Sequence, residues 1–260
     1  MMKALLPIIG ICLLNLGNAN AETIELNDHN TVTLRGVVDQ ESIARTQVEL
    51  LKRAKPGKRL CLVLDTPGGS VDAGNMLIET AKGLPGRVDT VTIFAASMGF
   101  QIAQNLGERL ILDNGTLMSH RAYTGVEGQL PGELITRVAY YTQMCNRLDR
   151  IASARMGMTY ENYRRLIYDE YWTIGSSAVA ERAADRVVSV RCGEGMQGTE
   201  DVEFQTMFGS VDVTFSKCPL VTGPLAVKFK GEAQYRNAAV NEVRAFFIDR
   251  QGYDRKFIRK

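Results

Sequence analysis

Short apolar runs and amphipathic stretches alternate along most of this chain. Val32 to Val37 reads as a strand. Glu41 to Lys55 repeats its apolar residues at helical spacing until Pro56-Gly57 stops it. Leu60 to Leu64 is a continuous apolar strand, ended by Asp65-Thr66-Pro67-Gly68-Gly69. A helix is predicted from Asp72 to about Leu84, a β-branched strand from Thr90 to Ala95, and a helix from Met98 to Leu106. Arg109 to Leu112 and Thr116 to Ser119 are predicted as two shorter strands separated by an Asp113-Asn114-Gly115 turn. A long helix from about Gly132 to Met156 places Leu134, Val138, Tyr141, Cys145, Leu148 and Ala152 at three- and four-residue spacing, a single stripe expected to be buried. Helix and strand resume through Val190. Strands alternating with helices of this length predict an α/β fold around a mainly parallel sheet.

The two ends have a different texture. Lys3 precedes an apolar stretch from Ala4 to Leu16, and Ala19-Asn20-Ala21 follows as an A-x-A pattern. The stretch is short for a membrane span and is interrupted by Pro7, Asn15 and Asn18, so residues 1–21 are expected to be a cleaved signal peptide. Bulky Ile11 before Cys12 argues against lipoprotein processing. Export to the periplasm or beyond follows, with Glu22 as the mature N-terminus and no membrane span in the mature chain. After Cys192 a Gly-rich polar segment leads to a short strand, Val211 to Ser216, and a helix, Gly231 to Phe247. The basic end (Arg255, Lys256, Arg259, Lys260) reads as a solvated terminus. The expected organisation is a main domain over 22–191 and a small α+β extension over 192–260 whose role the residues do not reveal.

Composition narrows the chemistry. Apolar residues make up 45% and charged residues 23% of the 260, an ordinary globular balance. A formal charge of +2 gives no electrostatic case for nucleic acid. His29 and His120 are the two histidines, too few for a histidine-built metal centre, and no metal or cofactor is expected. In an oxidising compartment Cys192 and Cys218, which flank the Gly-rich segment, are expected to form a disulfide, and Cys61 and Cys145 to remain buried thiols.

Three loops at strand ends carry candidate chemistry. Asp65-Thr66-Pro67-Gly68-Gly69 is either an ordinary Pro-Gly turn or a place where a backbone N–H points into a cleft with no Cβ in the way. Ser97, in Ala95-Ala96-Ser97-Met98-Gly99, falls where strand gives way to helix. It is either a structural N-cap or an accessible hydroxyl at a helix N-terminus. Met118-Ser119-His120-Arg121 closes the next strand with an imidazole, the usual base for a serine that is a poor nucleophile at neutral pH. Together they offer a nucleophile, a base and backbone donors at the strand ends where α/β active sites assemble.

The span from about Val32 to Val190 resembles the proteolytic subunit of the Clp protease, within the ClpP/crotonase superfamily. Leu34-Arg35-Gly36-Val37-Val38 is similar to that family's opening strand, and Asp65-Thr66-Pro67-Gly68-Gly69 to its S-P-G-G loop. Ala95-Ala96-Ser97-Met98-Gly99 is similar to its nucleophile motif and Met118-Ser119-His120 to its M-x-H motif. The Gly125-x-x-Gly128-Gln129 turn and the long helix after it resemble the handle that joins two rings. The resemblance implies a ββα spiral with a handle helix, Ser97 as nucleophile, His120 as base, and Gly69 and Met98 N–H groups as an oxyanion hole. It implies Glu170 as the third member of a triad, with Asp169 as the alternative, in Tyr168-Asp169-Glu170-Tyr171-Trp172.

The expected activity is a serine endopeptidase of the cell envelope, cutting unfolded or short polypeptides in a homo-oligomeric ring. No ATPase unfoldase partner is expected, because an exported protein has no ATP supply. A non-catalytic binding or assembly protein of the same fold is the main alternative. A signal-peptide-peptidase relative using serine and lysine lacks an anchor and an evident lysine, and a crotonase-type acyl-CoA enzyme has no use for a Ser/His pair.

Overall fold

The computed structural model describes residues 22–123 and 125–244. The predicted leader and the last part of the predicted terminal helix lie outside the described residues. Seven strands form one sheet: β1 (Glu22–Leu26), β2 (Thr31–Arg35), β3 (Arg59–Thr66), β4 (Arg87–Ala96), β5 (Arg109–Ser119), β6 (Tyr171–Ile174) and β7 (Arg186–Cys192). Their order is β1-β7-β5-β4-β3-β2. All pairs along this path are parallel, and β6 adds antiparallel to the end of β5. The intervening helices are α1 (Gln40–Arg53), α2 (Val71–Lys82), α3 (Met98–Asn105), α4 (Gly132–Arg155), α5 (Tyr160–Leu166) and α6 (Gly175–Ala180). This is a mixed α/β fold with a parallel sheet, as the alternation of apolar runs predicts.

The main core lies between the sheet and the helices. Leu34, Leu62 and Leu64 of the strands meet Ile43 and Leu50 of α1, Leu77 and Ile78 of α2, and Phe100 of α3, all essentially solvent-free. Burying aliphatic side chains of this size stabilises by roughly 1.5–3 kcal/mol each. A smaller cluster of strand residues alone, including Val63, Val91 and Leu110, covers the other face.

One prediction from local chemistry is corrected, and another is met within this chain only in part. Asp113-Asn114-Gly115 does not reverse the chain. Residues on both sides of it pair with β4 in the same direction, with a register shift between Thr92 and Phe94, so the segment is an irregularity inside one strand, β5. The missing Cβ of Gly115 lets the kinked backbone come against the Thr92 carbonyl, where a Cβ would be 2.5 Å away. The stripe on α4 is buried only at its C-terminal end, at Leu148 and Ala152. Ile135 is 60% exposed and Val138 47%. The helix projects past the main core, and among the described residues its first half meets the 127–129 segment, as in the Arg137 bond to the Glu127 carbonyl.

Beyond β7 stands a second sheet, antiparallel in the order β10-β9-β8, made of β8 (Thr199–Thr206), β9 (Gly209–Ser216) and β10 (Ala226–Lys230). Helix α7 (Arg236–Arg244) packs Ala239 and Val243 on Val211, Val213 and Phe215 of this sheet. Of these strands β9 alone is predicted by the sequence. Cys192 at the end of β7 is disulfide-bonded to Cys218 just after β9 across 26 positions, with Cα atoms 5.8 Å apart. A closed loop of this length restricts the unfolded chain by about 3.5 kcal/mol in the loop-entropy model. Cys61 and Cys145 are unbridged and half-buried, and burial pushes the Cys61 thiol up to about 11.

Candidate active site

The site follows from how β4 and β5 end. Their register pairs Ala95 with Leu117 and Ala96 with Met118, and the Ser97 N–H donates to the Met118 carbonyl at 2.9 Å. The first residues past the two strands, Ser97 and then His120, are therefore neighbours although 23 positions separate them. His120 Nε2 lies 2.8 Å from Ser97 Oγ. Ser97 occupies the N-cap position of α3, yet its hydroxyl makes no capping bond to that helix. Its backbone has φ 54 and ψ −115, a region L-residues rarely adopt, at a cost on the order of 1–3 kcal/mol. A serine held on a strained strand-to-helix turn presents its hydroxyl outward rather than along the helix.

Small residues bring the next loop against this turn. Gly68 has φ +87, and a Cβ there would meet the Ala96 carbonyl at 2.5 Å, Met98 N at 2.7 Å and Ser97 Cβ at 2.7 Å. The loop is tied to the chain after β2: Val38 N–H donates to the Gly68 carbonyl at 2.9 Å and Ser70 N–H to the Val38 carbonyl at 2.7 Å. In such a parallel bridge Val38 uses the peptide groups on either side of Gly69, so the Gly69 N–H points away from β2. The Met98 side chain, almost fully buried, fills the space that Gly74 of α2 leaves open. Met98 N is the first N–H of α3, one of the helix-terminal donors without an intrahelical acceptor.

The carboxylates are placed by β6. Ser119 pairs with Tyr171 and Met118 with Trp172, so one further step of the antiparallel register sets Glu170 beside His120 and Asp169 a residue beyond. Glu170 adopts φ 69 and accepts a hydrogen bond from Trp172 Nε1 at 2.9 Å. It acts on His120 through charge: burial holds the imidazole below its ordinary pKa, and the Glu170 carboxylate partly opposes this. Asp169 is exposed.

Behind the histidine, Ser119 Oγ lies 2.8 Å from the hydroxyl of Tyr163, a fully buried residue that also accepts from Gln101 Nε2 at 3.3 Å. Burial drives the Tyr163 phenol well above its usual pKa, so it serves as a neutral hydrogen-bonding post that fixes the end of β5. Sequence reasoning did not select Ser119, Tyr163 or Trp172. Ser119 and Trp172 lie inside the motifs around His120 and Glu170, but Tyr163 is 44 positions from Ser119 and only the fold joins them.

An imidazole in contact with a serine hydroxyl, at the carboxyl ends of parallel strands and beside a glycine loop with outward N–H groups, can take the hydroxyl proton while the oxygen attacks an acyl carbon. Fold and site together are those of an α/β protein with a serine hydroxyl and an imidazole in contact at the ends of parallel strands. The chain belongs to the Clp protease family, whose model matches residues 18–191. It is 30% identical over 164 residues to the ATP-dependent Clp protease proteolytic subunit 3 of Rhodococcus jostii (strain RHA1), covering 61% of this chain and 81% of that protein. It is 27% identical over 146 residues to the ATP-dependent Clp protease proteolytic subunit of Streptococcus suis (strain 98HAH33), covering 55% of this chain and 74% of that protein.

Proposed function

We propose that this family member is a serine endopeptidase in which Ser97 is the nucleophile, His120 the general base, Glu170 the group that orients and supports the imidazolium, and the Gly69 and Met98 N–H groups the oxyanion hole. The observation that carries the reading is the 2.8 Å contact between Ser97 Oγ and His120 Nε2 at a strained turn. His120 takes the Ser97 proton as the oxygen adds to the peptide carbonyl, and returns it to the leaving amine as the acyl-enzyme forms. Water then repeats the two steps to release the acid. The leader-like residues 1–21 favour action in the cell envelope, without an ATPase, on polypeptides that are already unfolded or short. Labelling of the purified protein by a fluorophosphonate probe, lost in Ser97→Ala, tests this reading. A non-catalytic protein would not label.

The pH dependence separates the carboxylates. Because burial holds His120 below the ordinary value of about 6.5, the acid limb of kcat/KM is expected below that pH. Glu170→Gln removes the charge that raises this pKa, so the limb moves further toward acid while the plateau rate falls by a factor on the order of 10²–10⁴. Asp169→Asn leaves both nearly unchanged. Initial-rate profiles from pH 5 to 8.5 in roughly the histidine range check this. Two mild effects with an unmoved limb would mean a Ser–His dyad.

A ring assembly is part of the proposal. Ile135 and Val138 stand exposed on the unpacked half of α4, and apolar surface of this kind marks an interaction face. Ile135→Asp together with Val138→Asp is expected to dissociate the oligomer in light scattering without lowering protomer stability, since neither side chain is in the core. A fully active wild-type monomer would refute it.

A further inference from the structure

The extension meets the main sheet at the end of β2. Arg35, the last residue of that strand, has a side chain only 12% exposed, and the extension supplies much of its surroundings. Its Nη2 donates to the Val221 carbonyl at 3.2 Å, and the guanidinium lies over the Phe215 ring at 4.9 Å. Burial holds its pKa below the ordinary arginine value, and the carboxylates of Asp65 and of Glu200 in β8 oppose this. Asp65 stands opposite Arg35 in the ladder, with a carboxylate oxygen 3.9 Å from Arg35 Nε. That separation is too long for a hydrogen bond, and Nε has no hydrogen-bond partner, so at this nitrogen the link to Asp65 is one of charge.

Both sides of this contact are fixed. On the extension side, Phe215 belongs to the small core that includes Val211, Val213, Ala239 and Val243. The Val221 carbonyl sits at the end of a turn, where the Val221 N–H donates to the Cys218 carbonyl at 3.1 Å, and Cys218 is bonded to Cys192 at the end of β7. On the other side, Asp65 is 3% exposed and opens the loop that ends in Gly69. The Gly36 N–H, next to Arg35, donates to the Asp65 carbonyl at 3.0 Å, and Thr66 Oγ1 accepts from the Gly68 N–H at 3.0 Å. Val38, three residues after Arg35, makes the bridge to Gly69. Arg35 thus joins the extension to the two strand ends, of β2 and β3, from which the glycine loop hangs.

We propose that the C-terminal extension braces the candidate oxyanion loop, and that Arg35 is the positioning residue through which it does so. A guanidinium is planar and rigid. With one edge held by the Val221 carbonyl and one face by the Phe215 ring, its charge is fixed in place opposite Asp65. The buried carboxylate at the root of the loop is held in turn, and so is the strand segment that bridges Gly69. Arg35 touches none of the reacting atoms. It acts through Asp65 and the Val38–Gly69 bridge on the direction of the Gly69 N–H. An oxyanion donor works only if it already points at the developing charge, so support of this kind sets the rate without entering the chemistry. The inference rests on the peptidase reading, which makes the Gly69 N–H such a donor, and it gives the extension a task in that site.

The test compares a trileucine peptide aldehyde with the peptide alcohol of the same sequence as inhibitors of the full chain. Ser97 Oγ adds to the aldehyde carbon, its proton passes to His120, and the carbonyl π pair becomes an oxyanion that the loop must hold. The alcohol binds without this step, so the ratio of the two affinities reads the oxyanion hole. Arg35→Gln is expected to lower the ratio roughly tenfold, and kcat with it at unchanged KM. Amides of residues 66–70 are expected to exchange with deuterium roughly tenfold faster, with those of 148–155 in α4 unchanged. Arg35→Lys keeps the charge but not the planar fork and is expected to fall between. Phe215→Leu keeps the extension's core apolar and removes the ring beside the guanidinium. It is expected to lower the ratio roughly threefold, and it decides the matter if Arg35→Gln fails to fold. An unchanged ratio with unchanged exchange at 66–70 in these variants would overturn the proposal. So would exchange that rises equally along the whole chain, which is general loosening and not loss of a brace. A wild-type protein that holds aldehyde and alcohol equally counts against the peptidase reading instead, and exchange at 66–70 then decides by itself whether the extension braces the loop.

Discussion

Replacing Ser97 with alanine is expected to lower peptide hydrolysis by roughly 10⁴-fold or more while moving the melting temperature by no more than a degree or two. The catalytic loss follows from removing the side-chain oxygen that His120 Nε2 contacts, at 2.8 Å. The small stability effect has two sources. The hydroxyl makes no capping bond to α3, so its loss orphans no helix donor. Alanine also has a Cβ, so the unfavourable φ of 54 persists and no strain is released. Turnover of a fluorogenic peptide and a thermal melt, run on the same preparation, check both halves. Wild-type turnover in a contaminant-free mutant would remove Ser97 from the mechanism.

Gly68→Ala is expected to damage both properties at once. The new Cβ would be placed within 2.7 Å of the Ala96 carbonyl, Met98 N and Ser97 Cβ, at a φ of +87 that alanine adopts only under strain. Positive φ costs about 1–2 kcal/mol and forced overpacking against backbone another 1–3 kcal/mol, so a loss of roughly 2–5 kcal/mol is expected in denaturant unfolding. The clash is with the turn that aims Ser97, and displacing a reacting group by about 1 Å can cost 10²-fold in rate. Gly57→Ala is the control: its φ of +71 carries similar backbone strain, but nothing lies within 4 Å of the added Cβ, so activity should be unaffected. Equal behaviour of the two variants would mean that Gly68 does not buttress the nucleophile turn.

The apolar runs and their spacing determined the α/β class, the long α4 and the three loops where chemistry gathers. Burial is read directly from apolar periodicity, and Gly-Gly or Ser-Met-Gly after a strand marks a turn whatever the neighbours do. Three results were decided elsewhere. The Asp113-Asn114-Gly115 segment has strong turn chemistry, yet pairing of β5 with β4 on both sides of it overrode that local preference and left an irregularity in a continuous strand. The stripe on α4 has the right period for burial but, among the described residues, is covered only at its C-terminal end, a fact that periodicity cannot contain. Strands β1, β8 and β10 are short and rich in charged or polar residues, and become strands because a ladder partner is available. The approach of Ser97 to His120, and of Glu170 to the histidine, likewise depends on strand register. The sequence by itself determined which loops hold the candidate residues and that each of these loops closes a strand. Only the tertiary structure decided which strands lie side by side, because hydrogen-bonded register is a relation between distant segments that neither segment encodes alone.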